Sequence, residues 1–132
     1  MLKIIMALAA GAVSMAVIDF LWLGIIMRDW IYSKIGASLN LVNGSLVVNT
    51  NAVILFYIVA AFSIYAFVIP RVSTVSEAFL TGALFGGLMY AFYDLTNMAT
   101  LKYWSWQFAA VDIAWGAFLM GITSVIIFYI LK

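Results

Sequence analysis

The sequence contains no cysteine and no histidine, and only one proline. The first two absences remove thiol chemistry, disulfides, imidazole general bases and the usual ligands of zinc, copper and haem. No metal site and no cofactor are expected. Charge is scarce as well. Six Lys/Arg and five Asp/Glu make up 8% of the 132 residues, against roughly a quarter in an ordinary soluble domain. So few charges cannot cover a soluble surface, and a net charge of +1 gives no reason to expect a nucleic-acid partner.

What the chain does have is apolar surface: 68% of its residues are hydrophobic. Disordered chains are poor in these residues, so disorder is excluded too. The expected partner is the lipid bilayer. A span takes about 20 apolar residues, so the chain has room for one domain over 1–132, with four spans, short links and no extramembrane domain.

The first span is expected over 2–27. Its start, Met1-Leu2-Lys3, superficially resembles a signal peptide. The run is too long for a secretory apolar region and continues past Asp19, so it reads as a retained span. Residues 30–39 carry apolar side chains at helical spacing, which predicts a short interfacial helix. Asn40 to Asn51, with Asn43-Gly44, is turn-rich. The second span is expected over 52–69 and stops before Pro70, because the residue preceding a proline is pushed out of the helical region. Ser73 or Thr74, followed by Ser76-Glu77, offers cap chemistry for a third span over 77–99. A link rich in Tyr and Trp then leads to a fourth span over 107–131. Trp30, Tyr103, Trp104 and Trp106 read as interface anchors.

Lipid cannot satisfy free backbone groups, so all four spans are expected to be helical. Short links make neighbours antiparallel. The predicted fold is all-α: an integral membrane protein of four transmembrane helices in an up-down-up-down bundle. Both termini lie on one side. Lys3, Arg71 and Lys132 mark that side, and Arg28, Lys34 and Lys102 mark the other, so the positive-inside count is tied. The α-amino group and the long 28–50 loop favour a cytoplasmic N-terminus.

Three acids fall inside spans: Asp19, Asp94 and Asp112. At 1.5 Å per residue all three lie about 9–12 Å from the membrane face opposite the termini. Each lies on a helix stripe of small residues: Ala9, Ala12 and Ala16 before Asp19, Gly82 and Gly86 before Asp94, and Gly116 one turn after Asp112. Small residues mark close helix contacts, so the acids are expected to point into the bundle. The spacing Asp-x-x-Trp occurs as Asp19/Trp22 and Asp112/Trp115, on helices of opposite direction, as an inverted repeat would give. An ionised acid at this depth costs about 3 kcal/mol on insertion scales. Clustering and burial both disfavour the charged form, so at least one acid is expected to hold a proton. Lys102 and Arg28 sit near the same end and are within snorkelling reach.

Two readings of the cluster stand side by side. In one, Tyr90, Tyr93, Thr96, Asn97, Trp22 and Trp115 satisfy the aspartates in a polar knot that fixes helix register. In the other, a polar site open to one leaflet holds a cation, a proton or a polar headgroup. The candidate ligand-binding residues are Asp19, Asp94, Asp112, Asn97, Tyr93, Trp22, Trp115 and Lys102.

Asp19-Phe20-Leu21-Trp22-Leu23-Gly24, Gly82-Ala83-Leu84-Phe85-Gly86, the run from Tyr93-Asp94-Leu95-Thr96-Asn97 to Lys102, and Asp112-Ile113-Ala114-Trp115-Gly116 resemble the bacterial membrane-protein family catalogued as domain of unknown function 2177. The resemblance spans nearly the whole chain. It implies a four-helix protein of a bacterial inner membrane, with Asp19, Asp94, Asn97 and Asp112 in motif blocks, and no assigned activity. One departure is Ser105, where proline is expected after the tryptophan of the link.

Three functions compete. The first is binding or transport of a cation, proton or polar small molecule, with oligomerisation because four helices are few for a pathway. The second is lipid binding or modification. It lacks a tight acidic pair on one helix and a nucleophile with a base. The third is a non-catalytic accessory subunit of a larger membrane complex. The sequence leans towards the first and away from an enzyme.

Overall fold

The computed structural model describes all 132 residues. Helix α1 (Leu2–Asp19) continues without a break into wider turns over Phe20–Ile26. In those turns each N–H reaches five residues back, as when Met27 N–H donates to the Trp22 carbonyl at 2.8 Å. Such widening re-aims side chains along a helix. The first span, Leu2–Ile26, ends at Met27.

Helix α2 (Arg28–Ile35) and a tight turn at Gly36–Ser38 follow. Ile31 and Ile35, one turn apart, are its buried residues. They pack on Phe108, with Trp30, Leu39 and Trp104 around them. The turn-rich stretch is a small antiparallel hairpin of β1 (Leu41–Val42) and β2 (Ser45–Leu46). Asn43 and Gly44 form its turn with φ of 51° and 77°. Hairpin twist favours left-handed residues there, and Asn-Gly supplies them at least steric cost.

Helix α3 (Thr50–Ser63) is capped by Asn49, whose side chain accepts from Ala52 N–H. It widens over Ile64–Val68 and closes in a tight turn, Ile69–Arg71. Pro70 therefore sits within that last turn and not just after it. Proline lacks an N–H and crowds the carbonyl four residues back, and the widened turns before it relieve that crowding. Helix α4 (Val75–Thr100) starts with a reciprocal cap: Thr74 accepts from Glu77 N–H, and the Glu77 carboxylate accepts from Thr74 N–H. Helix α5 (Trp106–Leu131) starts at Ser105, whose hydroxyl accepts from Phe108 N–H. The departure at Ser105 thus serves as a helix cap.

The four spans form an antiparallel all-helical bundle centred on α5. Half of the α5 span is buried, and no other span exceeds 28%. Helices α4 and α5 touch through glycines. A Cβ at Gly82 would meet Ser124 and the Met120 carbonyl, one at Gly86 would meet Gly116 and Met120, and one at Gly116 would overlap the Tyr90 ring. Numbers rise along α4 as they fall along α5, which fixes the antiparallel register. Helix α1 meets α5 in the same sense, with Gly11 against Thr123 and Ile127. Buried Met15, Ile64, Leu119 and Ile127 fill the centre. The termini share one end with the 72–74 link: Lys3 Nζ donates to the Leu131 carbonyl and Lys132 Nζ to the Val72 carbonyl, each at 3.1 Å.

Candidate functional site

The α4–α5 register carries the site. Gly86 and Tyr90 lie against Gly116, so one further turn of α4 and one turn back along α5 bring Asp94 to Asp112. Their carboxyl groups lie within hydrogen-bonding reach of each other. Asp94 is completely buried and Asp112 is 7% exposed. Asp94 Oδ1 accepts from Trp104 Nε1 at 3.1 Å. Its other oxygen, Oδ2, is buried with no donor from any other side chain or from the backbone.

Asp19 sits in a different arrangement. Its Oδ1 accepts from Trp115 Nε1 at 2.8 Å and its Oδ2 from the Tyr57 hydroxyl at 2.9 Å. Three helices, α1, α3 and α5, are tied at this one carboxyl. Trp22 stacks flat on Trp115, with centroids 4.4 Å apart and planes 8° from parallel. The two Asp-x-x-Trp segments therefore meet through their tryptophans, while their acids differ. Asp19 is satisfied by two neutral donors, and Asp112 faces another acid. Tyr90, packed against Gly116 one turn before Asp94, lies near both arrangements.

The remaining candidates are placed outward. Tyr93 is more than half exposed, has Asn97 beside its hydroxyl and meets Trp104 edge to face at 5.8 Å. Asn97 is half-buried. Lys102 is exposed, with its ammonium 5.1 Å from the Tyr103 ring centroid. Arg28 lies over Tyr32 at 5.4 Å. Both cations are engaged with surface aromatics at the membrane face, and neither forms an ion pair with an aspartate. The three carboxyls do not converge into a metal-binding group.

Two contributors escaped the reading of the sequence. Trp104 was expected to be an interface anchor, and instead its indole N–H serves Asp94. Its position just before the helix cap at Ser105 folds the ring back under the link. Tyr57 was not singled out. Its signal was depth: it lies seven residues after Thr50, about 10 Å from the same face as the acids. Tyr90 was expected among the knot residues, on the inward stripe that runs from Gly82 and Gly86 to Asp94.

These features define a four-span helical membrane protein with a buried carboxyl cluster at one depth. The model of the family described as predicted membrane protein (DUF2177) matches residues 4–129. The chain belongs to that family of membrane proteins. No curated protein and no solved structure matches it.

Proposed function

We propose that this protein binds a proton within the bilayer, shared between Asp94 and Asp112. The supporting observation is the buried Asp94 Oδ2, which accepts no hydrogen bond, on a side chain whose neighbour is the Asp112 carboxyl. Two ionised carboxylates in contact repel and offer only acceptors. A single proton between them turns the contact into a hydrogen bond and satisfies the orphan oxygen. Larger cations fit the site less well. Asp19 is already occupied by Trp115 and Tyr57, so no third carboxylate is free to complete a ligand set. Among the three competing functions, this reading belongs with binding of a cation or proton.

The geometry favours binding over conduction through a single chain. Between the acids and the terminal end, the core is closed by Met15, Leu119 and Ile127, all fully buried. The Thr123 and Ser124 hydroxyls in that region donate to their own helix, to the Leu119 and Met120 carbonyls.

Infrared spectroscopy of the protein in bilayers tests the reading. A carboxylic-acid C=O band is expected in neutral buffer, removed by Asp94→Asn and equally by Asp112→Asn. A wild-type spectrum without such a band, or a band that survives both substitutions, refutes it.

We place the protein in a bacterial inner membrane with cytoplasmic termini. Lys and Arg are tied at three on each side, and the α-amino group beside Lys3 with the long 28–50 loop on the other side supports that orientation.

A further inference from the structure

The bound proton must enter from some side, and the two ends of the bundle differ. The terminal side of the cluster is packed shut, as described above. On the other side the pair meets Trp104, from the 101–105 link. Trp104 donates its indole N–H to Asp94 Oδ1 and sets its ring edge to face against Tyr93 at 5.8 Å and Phe108 at 5.2 Å. The backbone beside it is held from outside. Ser38, at the end of the turn after α2, donates its hydroxyl to the Tyr103 carbonyl at 2.7 Å. Ile31 and Ile35 of α2 press on Phe108 from the same direction, with Trp104 packed against that group. Helix α2 thus works as a strap across the link, and Trp104 is the plug beneath the strap.

From this we infer that Trp104 is the closure of the Asp94–Asp112 site, that α2 holds it shut, and that the site exchanges protons only with the face carrying α2. The inference rests on the shared-proton reading and adds a route and a gate to it. The titratable groups facing the pair are Asp19 from α1 and Tyr90 and Tyr93 from α4; Tyr57 from α3 reaches Asp19 and not the pair. No lysine or arginine faces it. Opening requires loss of one indole hydrogen bond and displacement of one ring, with all four spans left in place. Trp104 acts as a positioning residue, because it holds Asp94 Oδ1 while limiting access to the pair.

The test follows the same carboxylic-acid infrared band after transfer of the bilayer-embedded protein into D₂O, where deuteration shifts it. Slow exchange is expected in the wild type. Trp104→Phe keeps an aromatic side chain but removes the N–H and part of the plug's bulk, and exchange is expected to be at least tenfold faster. Ser38→Ala loosens the strap without touching Asp94 and is expected to accelerate exchange by a smaller factor. Thr123→Val, on the terminal side, is expected to leave the rate unchanged. Wild-type rates in both Trp104→Phe and Ser38→Ala overturn the gate while leaving the shared proton intact. Acceleration by Thr123→Val as large as that by Trp104→Phe puts the route on the terminal side and also overturns it. Absence of the band in the wild type overturns the shared proton and the gate together.

Discussion

Gly86 and Gly87 are adjacent on α4, yet alanine is expected to have opposite consequences at the two positions. A Cβ at Gly86 would overlap the Gly116 carbonyl oxygen and lie 2.6 Å from Met120 Cγ. The first obstacle is backbone of a helix that cannot rotate away, so α4 and α5 must separate. Separation costs packing along the whole glycine seam and pulls Asp94 from Asp112. Overpacking of a filled core typically costs about 1–3 kcal/mol, and the rigid obstacle puts Gly86→Ala in the upper half of that range. At about 2 kcal/mol the folded-to-unfolded ratio falls roughly 30-fold. At Gly87 the nearest atom is the Ala117 Cβ at 3.5 Å, an ordinary contact. Gly87→Ala should therefore stay within about 0.5 kcal/mol of the wild type. Equilibrium unfolding in mixed micelles of increasing denaturing detergent measures both variants. Equal stabilities for Gly86→Ala and Gly87→Ala refute the glycine seam and, with it, the register that brings the acids together.

Other predictions concern Asp19, the hairpin and the orientation. Tyr57→Phe removes one donor from Asp19 and should cost about 1 kcal/mol, in the range of interhelical hydrogen bonds in membranes. Trp115→Phe should cost about 2–3 kcal/mol in the same unfolding assay, because it also strands Oδ1 and loses the stack on Trp22. Gly44→Ala places a side chain on a residue with φ of 77° and should cost roughly 1–2 kcal/mol locally, read as faster amide exchange at Val47, whose N–H donates to Asn40 across the hairpin. A fluorescent reporter fused to Lys132 should be bright in a bacterial host, as cytoplasmic reporters are, and an exported alkaline phosphatase at the same place should be inactive; the reverse pair of results would invert the orientation.

The four spans were legible because composition and run length alone decide membrane insertion, and Thr74 and Glu77 mark the start of α4 by local rules, whereas Pro70 lies inside the last turn of its span and does not end it. The shared depth of Asp19, Asp94 and Asp112 was legible too, since rise per residue converts sequence position into depth. Which acid pairs with which was not. Depth places all three together, but only the contact of Gly86 and Tyr90 with Gly116 selects Asp112 for Asp94. The widened turns over Phe20–Ile26 were equally hidden, because no proline or polar break marks them. Trp104 misled for a physical reason: a tryptophan in a link at the membrane boundary has two uses, and sequence spacing cannot tell an anchoring ring from one folded inward onto a carboxylate.

The central claim is that Asp94 and Asp112 share one proton. The chain contains four aspartates, at 19, 29, 94 and 112, so aspartate labelled with ¹³C at Cγ gives four carboxyl signals in a solid-state NMR spectrum of the bilayer sample. Each is assignable by a single Asp→Asn substitution. The account predicts that the Asp94 and Asp112 signals depart from the position of exposed Asp29 towards that of a protonated carboxyl, and that each moves when the other aspartate is replaced. Signals for both residues at the carboxylate position of Asp29, unmoved by either substitution, would contradict it.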